Sequence, residues 1–460
     1  MRTLVNEIIN KEGEKVELMG WVNVRRDHGK IIFIDFRDRS GVCQVVFIGK
    51  DKMLYEKASQ LRSEWVVKIT GQVNKRPEAM VNKEIPTGEY EVLAEELEIL
   101  NEAKTPPFDL QTDGMEVGEE VRMQYRYVDL RRERLQKNLR LRSKTLAAVD
   151  EYLKRNDFVE IETPILGKST PEGARDYLVP VRVHPGKFYA LPQAPQQYKQ
   201  LLMVGGLERY FQVARCFRDE DTRGDRQPEF TQVDLEMSFV TRDEVLEILE
   251  GLMVDVVKKV YPEKHITQIP FPRMPYKEAI EKYGTDKPDL RKDKNNSNEL
   301  AFVFIVDFPF YEWDEKLKKW DFAHNPFSMP KGDLTDDKND MRKVLADQYD
   351  LALNGYEIVS GGIRNHKPEL LKKAFMLLGY KEEAILDKFG HMISAMSCGA
   401  PPHGGAAFGF DRLMMIFLNE PNIREVIAFP KTGDGRDLMT DAPSEVSKSQ
   451  LDELNIKVII

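Results

Sequence analysis

Residues 211–239 restrict the fold more than any other stretch of the chain. They read FQVARCFRDEDTRGDRQPEFTQVDLEMSF. On the first arm Phe211, Val213 and Phe217 alternate with Gln212, Ala214, Cys216 and Arg218. On the second, Thr231, Val233, Leu235, Met237 and Phe239 alternate with Gln232, Asp234, Glu236 and Ser238. A period of two on both sides of a Gly/Asp/Pro-containing loop predicts two antiparallel strands joined by a long connection. One face then lies on an apolar core, and the other presents arginine, glutamine and two carboxylates. Eight of the twelve residues from Arg218 to Glu229 are charged, with both signs interleaved. A charge run alone usually marks a solvated hairpin tip. Here the charges continue into the strand as Asp234 and Glu236, where β-propensity disfavours them. An arginine at the strand end is also a bidentate donor for phosphate. The combination suits a polyphosphate and a cationic group bound on one sheet face.

The segment FRDEDTRGDRQPEFTQVDLE is similar to motif 2 of class II aminoacyl-tRNA synthetases, in the form typical of the bacterial-type aspartyl branch. Composition bounds what else is possible. A chain of 460 residues is long enough for two or more domains. Its net charge of -9 gives nucleic-acid binding no general support, so any such binding rests on local basic patches. Cys43, Cys216 and Cys398 are scattered, with neither a disulfide framework nor a metal spacing. The N-terminus lacks an apolar signal region, and no run approaches 18 apolar residues. These features predict a soluble, cytoplasmic protein without membrane contact.

Residues 1–100 read as all-β. Lys15 to Val22, Ile31 to Arg37, Gly41 to Phe47, Glu64 to Val73 and Glu89 to Ala94 are strand-like runs between turn residues. Five short strands in that length predict a small OB-type barrel. A face carrying Arg25, Arg26, Phe33, Arg37 and Gln44 mixes guanidiniums with an aromatic ring, as OB folds do for single-stranded nucleic acid. A phenylalanine in an alternating strand is, taken alone, more often a core residue. GWVNVRRDHGKIIFIDFRDRSGVCQVVF resembles the anticodon-binding barrel of aspartyl-tRNA synthetases. That resemblance implies that Arg26, Phe33, Gln44 and Glu91 contact anticodon bases. It also places His28 in the loop facing them, where relatives that charge asparagine tRNA as well tend to have histidine.

Residues 101–130 lose periodicity and contain Pro106, Pro107 and Gly114, which predicts a hinge. The catalytic domain is expected over 131–460. A helical pattern with Leu139, Leu146, Val149 and Leu153, a strand Val159 to Thr163 and Pro164 resemble motif 1, which implies a homodimer. TPEGARDYLVP and FYALPQAPQQYKQLL match the aspartyl branch. The match implies that Glu172 closes over the amino acid, that Gln196 meets its ammonium together with Asp234, and that Lys199 faces its side-chain carboxylate. Where relatives carry an inserted domain, this chain has only a short polar connection near 287–301.

Further on, DFAHNPFSMP places His324 at the amino acid, although relatives often have His-His-Pro there. DLALNGYEIVSGGIRNH supplies Asp350 and Glu357, which the resemblance assigns to Mg²⁺, and Arg364, assigned to the substrate carboxylate. PPHGGAAFGFDRLMMIF is no P-loop. It matches motif 3, whose Arg412 would contact the ATP tail. Arg218, Glu220, Gln227, Glu357 and Arg412 form the expected ATP set, with Arg218 and Arg412 as the charge-neutralising catalytic pair.

The expected architecture is α+β: an OB barrel followed by a catalytic domain on an antiparallel sheet flanked by helices. The expected activity is aspartate–tRNA ligation from L-aspartate, ATP and tRNA(Asp), extended by His28 to tRNA(Asn). Two alternatives remain. One is a sister enzyme specific for asparagine or lysine, against which two cations, Lys199 and Arg364, argue in the case of lysine. The other is a non-enzymatic nucleic-acid-binding paralogue, which would be expected to lack Arg218 or Arg412.

Overall fold

The computed structural model describes residues 1–169, 174–334 and 341–459. They form two compact units, Met1–Asp109 and Leu110–Ile460.

In the first unit, β1 (Lys15–Asp27), β2 (Ile31–Asp38), β3 (Gly41–Ile48), β4 (Val66–Lys75) and β5 (Tyr90–Asn101) close a barrel in the order β1-β2-β3-β5-β4. Helix α1 (Lys52–Ser59) follows β3, and the Asp51 side chain caps it by accepting from the Leu54 amide. Ile32, Ile34 and Phe36 of β2 are buried with Val16, Leu18 and Val22 of β1. Strand alternation therefore leaves Phe33 and Asp35 on the outer face. In β1 the pairing with β2 shifts between Val22 and Val24. One extra residue inverts the alternation, so Val24 and Arg26 turn outward where Val22 had pointed in. The register then sets Arg26 opposite Phe33, Asp35 opposite Gln44, and Gln44 opposite Glu91.

The second unit holds helix α2 (Glu133–Arg155), strand β6 (Val159–Glu160), helix α3 (Gln196–Val204), β7 (Arg209–Phe217), β8 (Glu229–Ser238) and helix α4 (Arg242–Val260). There follow β9 (Arg273–Pro275), β10 (Phe302–Pro309), β11 (Leu345–Leu353), β12 (Tyr356–Ile363), β13 (His403–Gly409) and helix α5 (Phe410–Leu418). The strands run β9-β10-β11-β12-β13-β8-β7-β6 across one sheet. From β10 to β7 every neighbour is antiparallel. The two edge strands β9 and β6 pair in parallel, so the antiparallel sheet is mixed at its edges.

Helices α2 and α4 cover one face. Ala148, Val149 and Leu153 pack with Leu249 and Val256 over Phe211, Val233, Leu235 and Phe408 in a single core. Thr241 and Glu244 start α4 with a reciprocal capping box. The alternation read from the second arm holds through Met237 but fails at Phe239. There the backbone turns left-handed (φ 58°) and the ring is exposed.

Part of the stretch expected to be a hinge is folded into the second unit. Glu119–Gln124 and Arg126–Asp129 are short helices. Arg122 contacts Glu425 at 2.7 Å and Asp129 at 3.0 Å, and Arg126 reaches Asp129 at 2.9 Å, all of them buried. These arginines are satisfied internally, Arg122 by a carboxylate 303 residues away and Arg126 by a near neighbour.

Candidate active site

The sheet face opposite α2 and α4 carries the even-numbered residues of β8. Pairing places Asp234 beside Ala407 and Glu236 beside Gly405 of β13. Helix α3 brings Gln196, Lys199 and Gln200 to this face, since residues three and four apart share one helix side. Lys199 Nζ lies 2.7 Å from Asp234 Oδ1 and 3.2 Å from Glu236 Oε2. Arg364, just beyond the end of β12, donates from Nε to Glu236 Oε1 at 2.8 Å and from Nη2 to Glu236 Oε2 at 3.2 Å. Relative exposure is 1% for Lys199 and Asp234, 0% for Glu236 and 3% for Arg364. A Cβ on residue 405 would stand 2.3 Å from Glu236 Oε2, so Gly405 serves this carboxylate.

The quartet corrects one expectation. Lys199 and Arg364 are not bare cations awaiting an anionic side chain, because Asp234 and Glu236 already neutralise them. Charge alone therefore excludes lysine less strongly than the sequence implied. Directional chemistry remains: an ammonium has three donors and a guanidinium five, and both groups keep N–H donors beyond those used on Glu236 and Asp234.

The two carboxylates differ. Burial raises the Asp234 carboxyl above its ordinary range, and Lys199 only partly offsets this. At Glu236 burial also pushes upward, but Arg364 and Lys199 together outweigh it and hold the group low. Among the described residues Asp234 Oδ2 has no partner at hydrogen-bond geometry; the nearby Tyr210 hydroxyl, which interacts with Asp234, donates to Gln212 at 2.7 Å. Asp234 thus retains a buried lone pair suited to an incoming ammonium.

Above the quartet is a cavity of about 200 Å³ lined by Gln196, Lys199, Arg218, Asp234, His324 and Arg364. Among the expected amino-acid contacts, Glu172 lies outside the described residues. His324 is exposed, with its ring edge-on to Phe308 at 5.2 Å.

A second cavity of about 430 Å³ is lined by Arg218, Glu220, Gln227, Glu357 and Arg412, the whole expected ATP set. Arg218 lines both cavities. Its guanidinium lies 5.1 Å over the Phe230 ring and its Nε has no partner among the described residues. Arg412 is already held, donating to the Glu357 carbonyl at 2.6 Å and to Asp225 Oδ2 at 3.0 Å. The Gln227 side-chain oxygen accepts from the Lys431 amide at 2.7 Å. Phe230, Asp225 and Lys287 also line this cavity and were not anticipated for it.

Asp350 on β11 is fully buried near Glu357 on β12. Burial first, and then the neighbouring Glu357 carboxylate, drive its carboxyl well above the ordinary range against the pull of Ser360 and Gln348, and Oδ1 has no partner among the described residues. The two neighbouring carboxylates supply hard oxygen donors of the kind a divalent cation takes. No cluster of three or more ligating side chains occurs among the described residues. Mg²⁺ bound by one or two carboxylates plus phosphate and water oxygens needs none.

On the barrel, Phe33 is half-buried on the outer face, and His28 meets it edge-on at 5.5 Å. Arg26 forms two 2.6 Å bonds to Asp35, and Gln44 Nε2 donates to Glu91 Oε2 at 2.8 Å. The five expected residues therefore form one surface, with Asp35 as an unanticipated partner. Glu236 was visible in the same alternation that marked Asp234. Gln200 carried only its spacing from Gln196, and His403 carried no signal at all.

The chain matches the family model for tRNA synthetases class II (D, K and N) over residues 118–433, and that for the OB-fold nucleic acid binding domain over 16–100. The aspartate–tRNA(Asp/Asn) ligase of Chlorobium chlorochromatii is 41% identical, over 97% of this chain and 94% of its own. The ligase of the same name from Caldanaerobacter subterraneus is 43% identical, over 97% and 96%. The first alignment spans 571 positions against 460 residues here, so that relative has a long segment this chain lacks. Among solved structures, asparaginyl-tRNA synthetase from Pyrococcus horikoshii with asparaginyl-adenylate shares the fold at a TM-score of 0.76 and 22% identity, covering 94% of this chain and 98% of that one. The chain belongs to the class II tRNA synthetases of the D, K and N group.

Proposed function

We propose that the chain is an aspartate–tRNA ligase that forms aspartyl-adenylate and passes the aspartyl group to tRNA(Asp) and tRNA(Asn). The observation that carries this reading is the buried quartet beneath the smaller cavity. It presents donors from Lys199 and Arg364 toward a carboxylate, and the Asp234 lone pair toward an ammonium. The curated relatives named aspartate–tRNA(Asp/Asn) ligases support it.

L-Aspartate sits in the smaller cavity, its ammonium on Asp234 Oδ2 and Gln196, its side-chain carboxylate on Lys199 and Arg364, with His324 at the rim. ATP occupies the larger cavity, where Phe230 offers a ring face. The aspartate α-carboxylate attacks the α-phosphorus, a P–O bond breaks and pyrophosphate leaves. Arg218 borders both cavities, so its guanidinium meets the α-phosphate where negative charge builds. Arg412, pre-set by Asp225, and Glu220 and Gln227 hold the rest of the nucleotide. Asp350 and Glu357 would hold Mg²⁺, which when bound would neutralise charge on the phosphate oxygens. In the second step a terminal ribose hydroxyl of the tRNA attacks the aspartyl carbonyl and AMP leaves. Side chains form no covalent intermediate, so the rate comes from positioning and electrostatics.

The barrel surface reads the anticodon by stacking on Phe33 and by hydrogen bonds from Arg26, Gln44 and Glu91. The imidazole of His28 accepts the one base that differs between the two tRNAs. Exposed Val159, Ile165 and Leu166, after α2, fit the homodimer contact. No described helix is long and apolar enough to cross a membrane, in keeping with a cytoplasmic site of action. Charging both purified tRNAs with aspartate tests the reading. Wild type charges both, and His28→Leu favours tRNA(Asp). Outright rejection of tRNA(Asn) by wild type defeats dual specificity, and rejection of both defeats the function.

A further inference from the structure

Behind the amino-acid cavity Gln196 heads a chain of polar groups, and the mechanism above uses none of its members but Gln196. Gln196 Nε2 donates to Gln200 Oε1 at 3.1 Å. Gln200 Nε2 lies 3.1 Å from His403 Nε2. His403 Nδ1 lies 2.8 Å from the Pro401 carbonyl oxygen. Gln200 and His403 are fully buried and Gln196 is more than nine-tenths buried. A carbonyl oxygen can only accept, so His403 carries its proton on Nδ1. Burial lowers its pKa, and the ring stays neutral at pH 7. Its Nε2 is then an acceptor and fixes the Gln200 amide with nitrogen toward the ring and oxygen toward Gln196. That in turn fixes Gln196 with its nitrogen inward and its oxygen free for the cavity.

We infer that His403 and Gln200 are positioning residues for substrate selection: one proton on His403 Nδ1 sets the polarity of the row and makes Gln196 present an acceptor to the substrate ammonium. This rests on the reading that Gln196 meets that ammonium. Without the row, the Gln196 amide is free to rotate, and half of its orientations offer N–H₂ to a cation. Charged neighbours of His403 come from separate elements: Glu236 on β8, and Arg364 and His366 after β12. Glu236 is already committed to Arg364 and Lys199, so the Pro401 carbonyl and the Gln200 amide are the ring's own partners.

The test is ATP–pyrophosphate exchange with the full chain, with KM for aspartate and for ATP measured separately. Gln200→Leu removes the polar contact to Gln196 at similar size. It should raise KM for aspartate about 10-fold, as expected for one hydrogen bond, and leave KM for ATP within about 2-fold. Gln200→Glu still offers Gln196 an oxygen, so it should keep KM for aspartate within about 3-fold of wild type. That carboxylate faces His403 Nε2 and should drive the ring to the doubly protonated form. Histidine-selective ¹⁵N NMR reads this directly: wild type shows one Nδ1–H tautomer, which is lost in Gln200→Glu. Gln196→Ala separates the two levels. If it leaves KM for aspartate unchanged, the ammonium reading fails and the relay with it. If Gln196→Ala raises KM but Gln200→Leu does not, or if His403 carries its proton on Nε2, the relay alone is overturned.

Discussion

The barrel surface and the catalytic floor both set an arginine against a carboxylate, at opposite ends of the burial scale. Arg26 and Asp35 on the barrel leave 44% and 24% of their side chains exposed, whereas Arg364 and Glu236 leave 3% and 0%. An exposed pair is worth about 0–1 kcal/mol, and water or an RNA group can replace either partner. A buried pair loses about 3–5 kcal/mol when one member is removed, because a charge is left stranded. On the proposed reading, the barrel can therefore re-form its contacts around flexible anticodon bases. The catalytic floor is fixed before substrate arrives, with only the Asp234 lone pair and the spare N–H donors left for aspartate. Each unit has its own apolar core, so the two behaviours can be probed separately.

The largest expected effect comes from Glu236→Ala. It strands Arg364, leaves Lys199 with Asp234 alone, and should cost about 3–5 kcal/mol in denaturant unfolding, with loss of aspartate-dependent exchange. A tolerated substitution would erase the contrast between the two regions. Next is Lys199→Ala, which should cost about 1.5–3 kcal/mol in kcat/KM for aspartate and much less for ATP. Equal losses would make Lys199 a structural residue only. Phe33→Ala should weaken tRNA charging by about 1–3 kcal/mol and leave tRNA-independent exchange intact. Collapse of exchange would mean that the units are not functionally separate. Asp35→Ala should change stability by less than about 1 kcal/mol by thermal unfolding, since its pair with Arg26 is exposed.

A pH-dependent effect sharpens the metal assignment. Because the Asp350 carboxyl is raised in the folded state, its contribution is fully present below the ordinary aspartate value near about 4 and is lost as pH rises through the raised value. Metal-free wild type should lose melting temperature over that window relative to Asp350→Asn, and Mg²⁺ should restore it. A pH-independent difference between the two proteins would exclude the raised Asp350 carboxyl beside Glu357.

Much of this was legible because both strands at the centre obey a period of two. That alternation placed Asp234 and Glu236 on one face, and the three-residue step from Gln196 placed Lys199 beside them. What escaped is long-range or breaks the period. The bulge at 22–24 reverses the facing of Arg26, and a strand ended at Val22 could not reveal it. Pairing of Arg122 with Glu425 spans 303 residues, so an aperiodic stretch with two prolines and a glycine reads as a hinge. The neutralisation of Lys199 and Arg364 follows from strand order: β13 lies between β8 and β12, and Gly405 on it leaves room for the Glu236 carboxylate, which local sequence does not encode.

Amino-acid-dependent ATP–pyrophosphate exchange without tRNA tests the central claim most directly, because it depends on the buried floor and not on the anticodon surface. Aspartate should support exchange, and asparagine and lysine at the same concentration should not. Exchange driven equally by asparagine would show that the donors of Lys199 and Arg364 do not select a carboxylate, and the assignment of aspartate would be wrong.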